Sequence, residues 1–505
     1  MSADIKKSNL VAPEGQTPFA KKYGLLIALA VLVAVLLMPM PAGLSVAGHR
    51  MLAILLFAVI TWITEAVTYP VSATVIASLM LLLLGTAPAL EPAAAAAGKT
   101  IGFGKAIAMT FSGISASGTV LVGAAMFLAA AMTNTGLDKR IALTILSKVG
   151  SKTNRIVAGM IFVGFVLAFF VPSTTARVGC IIPIVLGIIA AFNLSMQSRF
   201  AALLMVATIH AASIWNIGIK TAAAQNMVAL GFIEKEFGAS ITWLHWFIAA
   251  APYAAIMSVV LYFVCMKMLP AEISEVKGGD ETVKKAMLEM GSMSPKEKKL
   301  LIISLLLIFF WVTEKILHPV STTASTVIAI TLMFMPGINI MTWKEAQAKV
   351  SWGTLVLFGI GISMGSALLN TKAAMWIANK LVTEMGLVNM GVFAVFAILA
   401  AFLIIVHLGF ASATAVASSM IPIMIAVLKN LNIQGLNMVD ITMLLQFVVS
   451  FGFILPVNSP QGILAYATET FSVKDCIKVG LPITIIGYLL LLVFAKTYWT
   501  VLGIL

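Results

Sequence analysis

Apolar stretches of about 18–25 residues recur from Leu25 to the C-terminus, separated by short polar segments. A helix of about 20 residues crosses a hydrocarbon core of about 30 Å. Two-residue alternation is absent, which argues against a transmembrane barrel and leaves helices as the spanning structure. The pattern predicts an all-α polytopic membrane protein with about 11 transmembrane helices.

The polar positions repeat. Residues 62–74 read WITEAVTYPVSAT and residues 311–323 read WVTEKILHPVSTT; residues 173–184 read STTARVGCIIPI and residues 412–423 read SATAVASSMIPI. Two matched pairs in the same order predict two homologous halves. The expected organisation is a cytoplasmic tail at 1–22, an extra first transmembrane helix at 23–44, and repeats at 45–268 and 300–505. Residues 269–299 join the repeats as a charged cytoplasmic linker. From Pro270 to Lys299 that linker holds twelve charged side chains, six of each sign, and is expected to be solvated with a short amphipathic helix.

Lys21 and Lys22 place the N-terminus inside, as do Lys139, Arg140, Lys148, Lys152 and Arg155 for the loop that carries them. Both hold if each repeat has five crossings plus one helical segment that enters and leaves on the same side. An odd number of crossings inverts the second repeat. Inverted repeats with interrupted helices mark secondary transporters, whose substrate binds near the midplane.

Composition sharpens the picture. Of 505 residues, 61% are hydrophobic and 10% charged, with a mean hydropathy of +1.07, whereas soluble domains carry about 25% charged residues. The net charge of +13 is spread over loops between spans, so it reads as topogenic and not as a nucleic-acid surface. Cys180, Cys265 and Cys476 lack metal or redox spacing. A signal-peptide reading of the first apolar run fails because the run is long and leads into further spans.

Several residues break the apolar pattern. Pro172 disfavours helix before it, and Ser173, Thr174 and Thr175 follow directly. Ser412, Ala413 and Thr414 stand at the matching place, so the two clusters are expected to pair into one site. Arg177, deep in an apolar segment, either snorkels to the inner surface or supplies a fixed positive charge beside the hydroxyls. Lys220 poses the same question. Asn216, Gly218, Lys220 and Thr221 make their span polar and breakable; in the second half Pro456, Pro460 and Gly462 interrupt a helix, with Asn458 and Ser459 on the unwound stretch. His407 is open between packing residue and ligand contact. Glu65 and Glu314 read as caps or interhelical ties. No nucleophile–base pair or His-Glu-x-x-His triad is present, so an enzyme is not expected.

These residues resemble those of the divalent anion/sodium symporter family, which moves dicarboxylates, citrate and sulfate. The resemblance is carried by Thr64-Glu65 with Pro70-Val71, Thr313-Glu314 with Pro319-Val320, the two hydroxyl clusters and the stretch 455–462. It implies a homodimer with scaffold and transport domains, two re-entrant hairpins at about 155–190 and 392–428, and elevator motion in a bacterial inner membrane. It also implies substrate contacts from Ser173, Thr174, Thr175, Ser412, Ala413, Thr414, Asn458 and Ser459. Arg177, Lys220 and His407 would compensate charge, and Asn216, Thr221 and Pro460 would shape the broken helices.

The sequence departs from the sodium-coupled pattern. Thr174 and Ala413 stand where that pattern has asparagines, and Lys220-Thr221-Ala222-Ala223 replaces a Gly-Ser-Pro-Pro-like run. Fewer hard oxygen ligands and an added ammonium disfavour sodium. Fixed cations then serve as counter-charge to a small dianion such as succinate, malate or 2-oxoglutarate, and an empty carrier bearing them returns at high cost. The expectation is a sodium-independent exchanger without metal or cofactor, its partners a dianion, membrane lipid and a second protomer; the alternative is a sodium-coupled dicarboxylate, citrate or sulfate symporter.

Overall fold

The computed structural model describes residues 19–505 apart from 192–193, 276–278, 432 and 434–435. Most of the expected N-terminal tail and part of the linker lie outside the described residues. The first half contains α1 (Phe19–Leu37), α2 (Val46–Thr64), α3 (Tyr69–Gly85), α4 (Pro92–Ala96), α5 (Phe103–Phe111), α6 (Ser117–Thr135) and α7 (Leu137–Leu146). It continues through α8 (Thr153–Phe170), α9 (Thr174–Ala191), α10 (Arg199–Gly218), a 3-10 turn (Lys220–Ala222), α11 (Ala224–Phe237) and α12 (Trp243–Met268). After α13 (Gly279–Met290) come α14 (Pro295–Val312), α15 (Thr322–Phe334), α16 (Trp343–Lys349), α17 (Trp352–Asn370) and α18 (Ala373–Glu384). The chain closes with a second 3-10 turn (Leu387–Asn389), α19 (Val392–His407), α20 (Ala413–Leu431), α21 (Met438–Val449), a third 3-10 turn (Pro456–Asn458), α22 (Pro460–Tyr466), α23 (Val473–Lys496) and α24 (Tyr498–Val501).

Among the described residues, ten helices are long and apolar enough to cross a membrane. This is an all-helical, multi-pass membrane protein. Both halves contain a joined helix pair (α8–α9, α19–α20) followed by an interrupted helix (α10–α11, α21–α22) and a long helix (α12, α23).

Local chemistry explains the ends. Ser294 with Glu297, Thr342 with Glu345 and Ser472 with Asp475 form capping boxes that open α14, α16 and α23. Proline in the first turn opens α3, α14 and α22, where its missing N–H costs nothing. Helix α10 breaks after Gly218, where a Cβ would lie 2.7 Å from the Trp215 ring and 2.9 Å from Ala254. The chain then runs extended through Ile219 before the turn.

Helix α10 is the most deeply buried span and packs on α8, α9 and α12, while α20 packs on α11, α17, α18 and α21. The linker contains the expected short helix, and it is stapled to the first half. Helix α13 packs on α7 and α9. Arg140, buried on α7, donates to Glu297 at 2.6 Å and to the carbonyl of Gly291 at 3.0 Å. The Thr153 hydroxyl donates to the carbonyl of Ile273 at 2.8 Å, and the Phe200 N–H donates to Glu272 at 3.0 Å.

Candidate functional site

The turn between α8 and α9 and the turn between α19 and α20 face one cavity of about 820 Å³, which the two interrupted helices also line. Ser173, Thr174, Thr175, Ser412, Ala413, Thr414, Asn216, Thr221, Ser459 and Pro460 all stand on its wall. At the other end the lining reaches the exposed residues Lys349 and Ser351. Cys180 lines it too, whereas Cys265 and Cys476 are buried elsewhere.

The two turns are built alike. Ser173 Oγ accepts from the Ala176 N–H at 3.3 Å, and Ser412 Oγ accepts from the Ala415 N–H at 3.4 Å. Each serine thus caps the helix that follows it and keeps its own hydroxyl proton for another partner. The turns differ at the middle residue: Thr174 donates to Asn216 Oδ1 at 2.8 Å, and Ala413 has no polar group.

Arg177 sits one layer behind the wall and is fully buried. Its guanidinium donates to the carbonyls of Val171 at 3.2 Å, Ala222 at 3.0 Å and Ala212 at 3.2 Å, and also to Asn216 Oδ1 and Thr174 Oγ1. Among the described residues it makes no ion pair. Snorkelling is therefore excluded: the charge is held inside by five oxygens, two of them on cavity-lining residues.

The second half closes the same crossing by a different route. Asn458 Nδ2 donates to the carbonyls of Phe410 at 2.9 Å, His407 at 3.2 Å and Leu408 at 3.2 Å. Phe410 precedes Ser412 as Val171 precedes Ser173, and Asn458 ends its turn as Ala222 ends the other. A guanidinium reaching from the helix pair in one half is thus matched by a carboxamide reaching back in the other.

Four residues expected at the site do not line the cavity: Arg177, Lys220, His407 and Asn458. Lys220 Nζ turns away, donating to the carbonyl of Ile241 at 2.7 Å and to Thr322 Oγ1 at 3.2 Å; Thr322 in turn donates to Glu314 at 2.6 Å. Its charge has a carboxylate behind it and is not unpaired beside the hydroxyls. His407 Nε2 pairs with the carbonyl of Asn458 at 3.3 Å, which makes it a tie between helix pair and interrupted helix. Glu314 serves as a tie to α15. Glu65 caps α2 in the left-handed region and accepts from Tyr69, whose own position is on the cavity wall.

Sequence reasoning missed Lys349, Gln225 and Gln461, which line the cavity. The two glutamines follow the two helix interruptions at the same spacing, a signal that aligning the two polar stretches residue by residue would have exposed.

A multi-pass helical protein whose paired helix turns and interrupted helices bring two hydroxyl clusters to one cavity has the architecture of a membrane transporter. The chain belongs to the family whose model is described as the sodium:sulfate symporter transmembrane region and matches residues 20–505, the divalent anion/sodium symporter family. It is 28% identical over 92% of its length and 88% of the relative's to a protein of Staphylococcus saprophyticus named sodium-dependent dicarboxylate transporter SdcS. It is 25% identical, over 95% of its length and 97% of the relative's, to a citrate/succinate antiporter of Escherichia coli. The fold is that of the crystal structure of the Alcanivorax borkumensis YdaH transporter, with a TM-score of 0.56 at 13% identity, covering 85% of this chain and 98% of that one. The family and these relatives are transporters and not enzymes.

Proposed function

We propose that this transporter exchanges small dicarboxylates, of the C4 and C5 class that includes succinate, malate and 2-oxoglutarate, without sodium. The observation that carries the reading is the buried Arg177 guanidinium. Among the described residues it is a charge without a carboxylate partner, one layer behind a cavity lined in part by hydroxyls. A bound dianion is its natural counter-charge. Moving the site empty would carry that charge uncompensated through a low-dielectric barrier, so the return stroke favours a loaded site. The antiporter among the relatives supports the same class of substrate.

The residues present do not suit sodium. The oxygens of Val171, Thr174, Ala212, Asn216 and Ala222 that could surround a cation already accept from a guanidinium. Those of His407, Leu408 and Phe410 accept from Asn458. A hard cation needs such oxygens free and is repelled by a neighbouring positive charge. The reading further places the protein as a homodimer in a bacterial inner membrane, N-terminus inside, with the helix pairs and interrupted helices moving as an elevator. The clustering of Lys139, Arg140, Lys148, Lys152 and Arg155 in one segment supports that orientation.

The test is counterflow in proteoliposomes. Uptake of labelled succinate should require unlabelled dicarboxylate inside and proceed without sodium. Robust uptake into empty vesicles on a sodium gradient would instead establish the symporter reading that the similarity to SdcS suggests.

A further inference from the structure

We infer that Gln225 and Gln461 are a matched pair of specificity-determining residues, one for each end of a substrate with two separated carboxylates. The inference rests on the exchanger reading above and adds to it the residues that choose the substrate. The two 3-10 turns that interrupt the helices are flanked by the same extended backbone. Ile219 (φ −128°, ψ 120°) corresponds to Leu455 (φ −115°, ψ 141°), and Ala223 (φ −144°, ψ 143°) to Ser459 (φ −150°, ψ 143°). In that register Gln225 and Gln461 occupy one position in two copies.

Each glutamine reaches into the opposite half. Gln225 Nε2 donates to Ser450 Oγ at 3.2 Å, and Gln461 Nε2 donates to Ser213 Oγ at 3.0 Å. Ser213 lies on α10 ahead of the first turn, and Ser450 follows α21 ahead of the second, so the two bonds are reciprocal. Ser213 spends its own proton on the carbonyl of Ile209 at 2.9 Å, which leaves it only able to accept and fixes the amide nitrogen of Gln461 toward it. Both glutamines are more than nine-tenths buried, with 7% and 5% exposure, yet both stand on the cavity wall.

A buried carboxamide is costly unless its hydrogen-bonding groups are used. One N–H of each amide goes to serine, and the second remains for a ligand. The serine and threonine of each helix-pair turn, Ser173 with Thr175 and Ser412 with Thr414, line the same cavity as the two glutamines. The cavity therefore carries one donor set twice. A substrate with two like anionic ends can satisfy both sets, whereas a single-centred dianion such as sulfate has no second end to offer.

The test uses the full chain in proteoliposomes and reads the apparent affinity for succinate in counterflow, together with the ratio of succinate to sulfate competition. Gln225→Ala and Gln461→Ala should each weaken succinate by about ten-fold or more, because each removes a donor to a charged group. Sulfate competition should change less, so the ratio should fall. Gln225→Glu and Gln461→Glu, which keep the size but replace a donor by an anionic acceptor, should weaken succinate further by repulsion; they decide the matter if an alanine variant does not fold. Wild-type affinity and ratio in the variants would overturn the assignment. So would losses matched by Ser213→Ala and Ser450→Ala with an unchanged ratio, since the glutamines would then only tie the halves together. Absence of counterflow by the wild-type protein would overturn the exchanger reading itself, which is a separate outcome.

Discussion

Lys220 Nζ lies 3.2 Å from Thr322 Oγ1, and this contact ties the turn interrupting α10 to the start of α15. Thr322 hands its proton to Glu314, so the tie ends on a carboxylate. All five partners of Arg177, by contrast, lie on the α8–α9 pair, on α10 or on the turn that follows it. One cation bridges to another part of the fold and the other is internal to the site. If the site moves against α14 and α15, the Lys220 tie breaks on each stroke. Lys220→Met should then speed the crossing itself and raise the exchange rate, by up to about 10- to 150-fold for a bond of roughly 1.5–3 kcal/mol. An unchanged exchange rate would show the tie to be static.

Arg177 should behave differently when replaced. Arg177→Met leaves the carbonyls of Val171, Ala212 and Ala222 without this donor, and each buried orphan costs about 1–3 kcal/mol. A marked drop in melting temperature in detergent is expected. Arg177→Lys keeps the charge but cannot fork to five acceptors, so its melting temperature should fall between the two. Equal melting of the wild type and Arg177→Met would mean that the guanidinium contributes nothing to holding the interrupted helix.

The hydroxyl pairs are separable from the caps. Thr175→Val and Thr414→Val keep volume and remove one donor each, with an expected loss of about 10- to 150-fold in dicarboxylate affinity. Binding can be followed without transport, since Cys180 is on the cavity wall and the other two cysteines are buried. Dicarboxylate should slow thiol modification at Cys180, and the valine variants should need more of it. Protection unchanged in both would move the substrate away from these turns.

Lys349 is exposed where the cavity lining ends. A cation at a mouth raises the local concentration of anions in a way that salt screens. Lys349→Gln should raise the apparent KM a few-fold at low ionic strength, with the difference shrinking toward about 0.15 M salt. A salt-independent difference would point to direct contact with bound substrate.

The all-helical, multi-pass class was legible in the apolar runs because the bilayer allows so few alternatives. The hydroxyl clusters at Ser173 and Ser412 were legible because they recur in register, and the structure brings them to one cavity. The direction of Lys220 was not, since a lysine on a breakable segment looks the same whether it faces a ligand or Thr322. The bonding of Asn458 and Arg177 was hidden for a subtler reason. They close equivalent crossings from opposite partners, so Val416 stands where Arg177 would be matched and Ala222 where Asn458 would be. Column-by-column comparison of the halves cannot show a role that has changed sides.

The wholly internal bonding of Arg177 has an electrical consequence for the proposed exchange. A charge that travels with the site crosses the membrane field outward and inward once per cycle, and the two passages cancel. Moving one elementary charge through 100 mV is worth about 2.3 kcal/mol, so voltage can bias which side the site faces at rest. It cannot drive the one-for-one swap of equally charged anions, which is set by their concentration ratios alone.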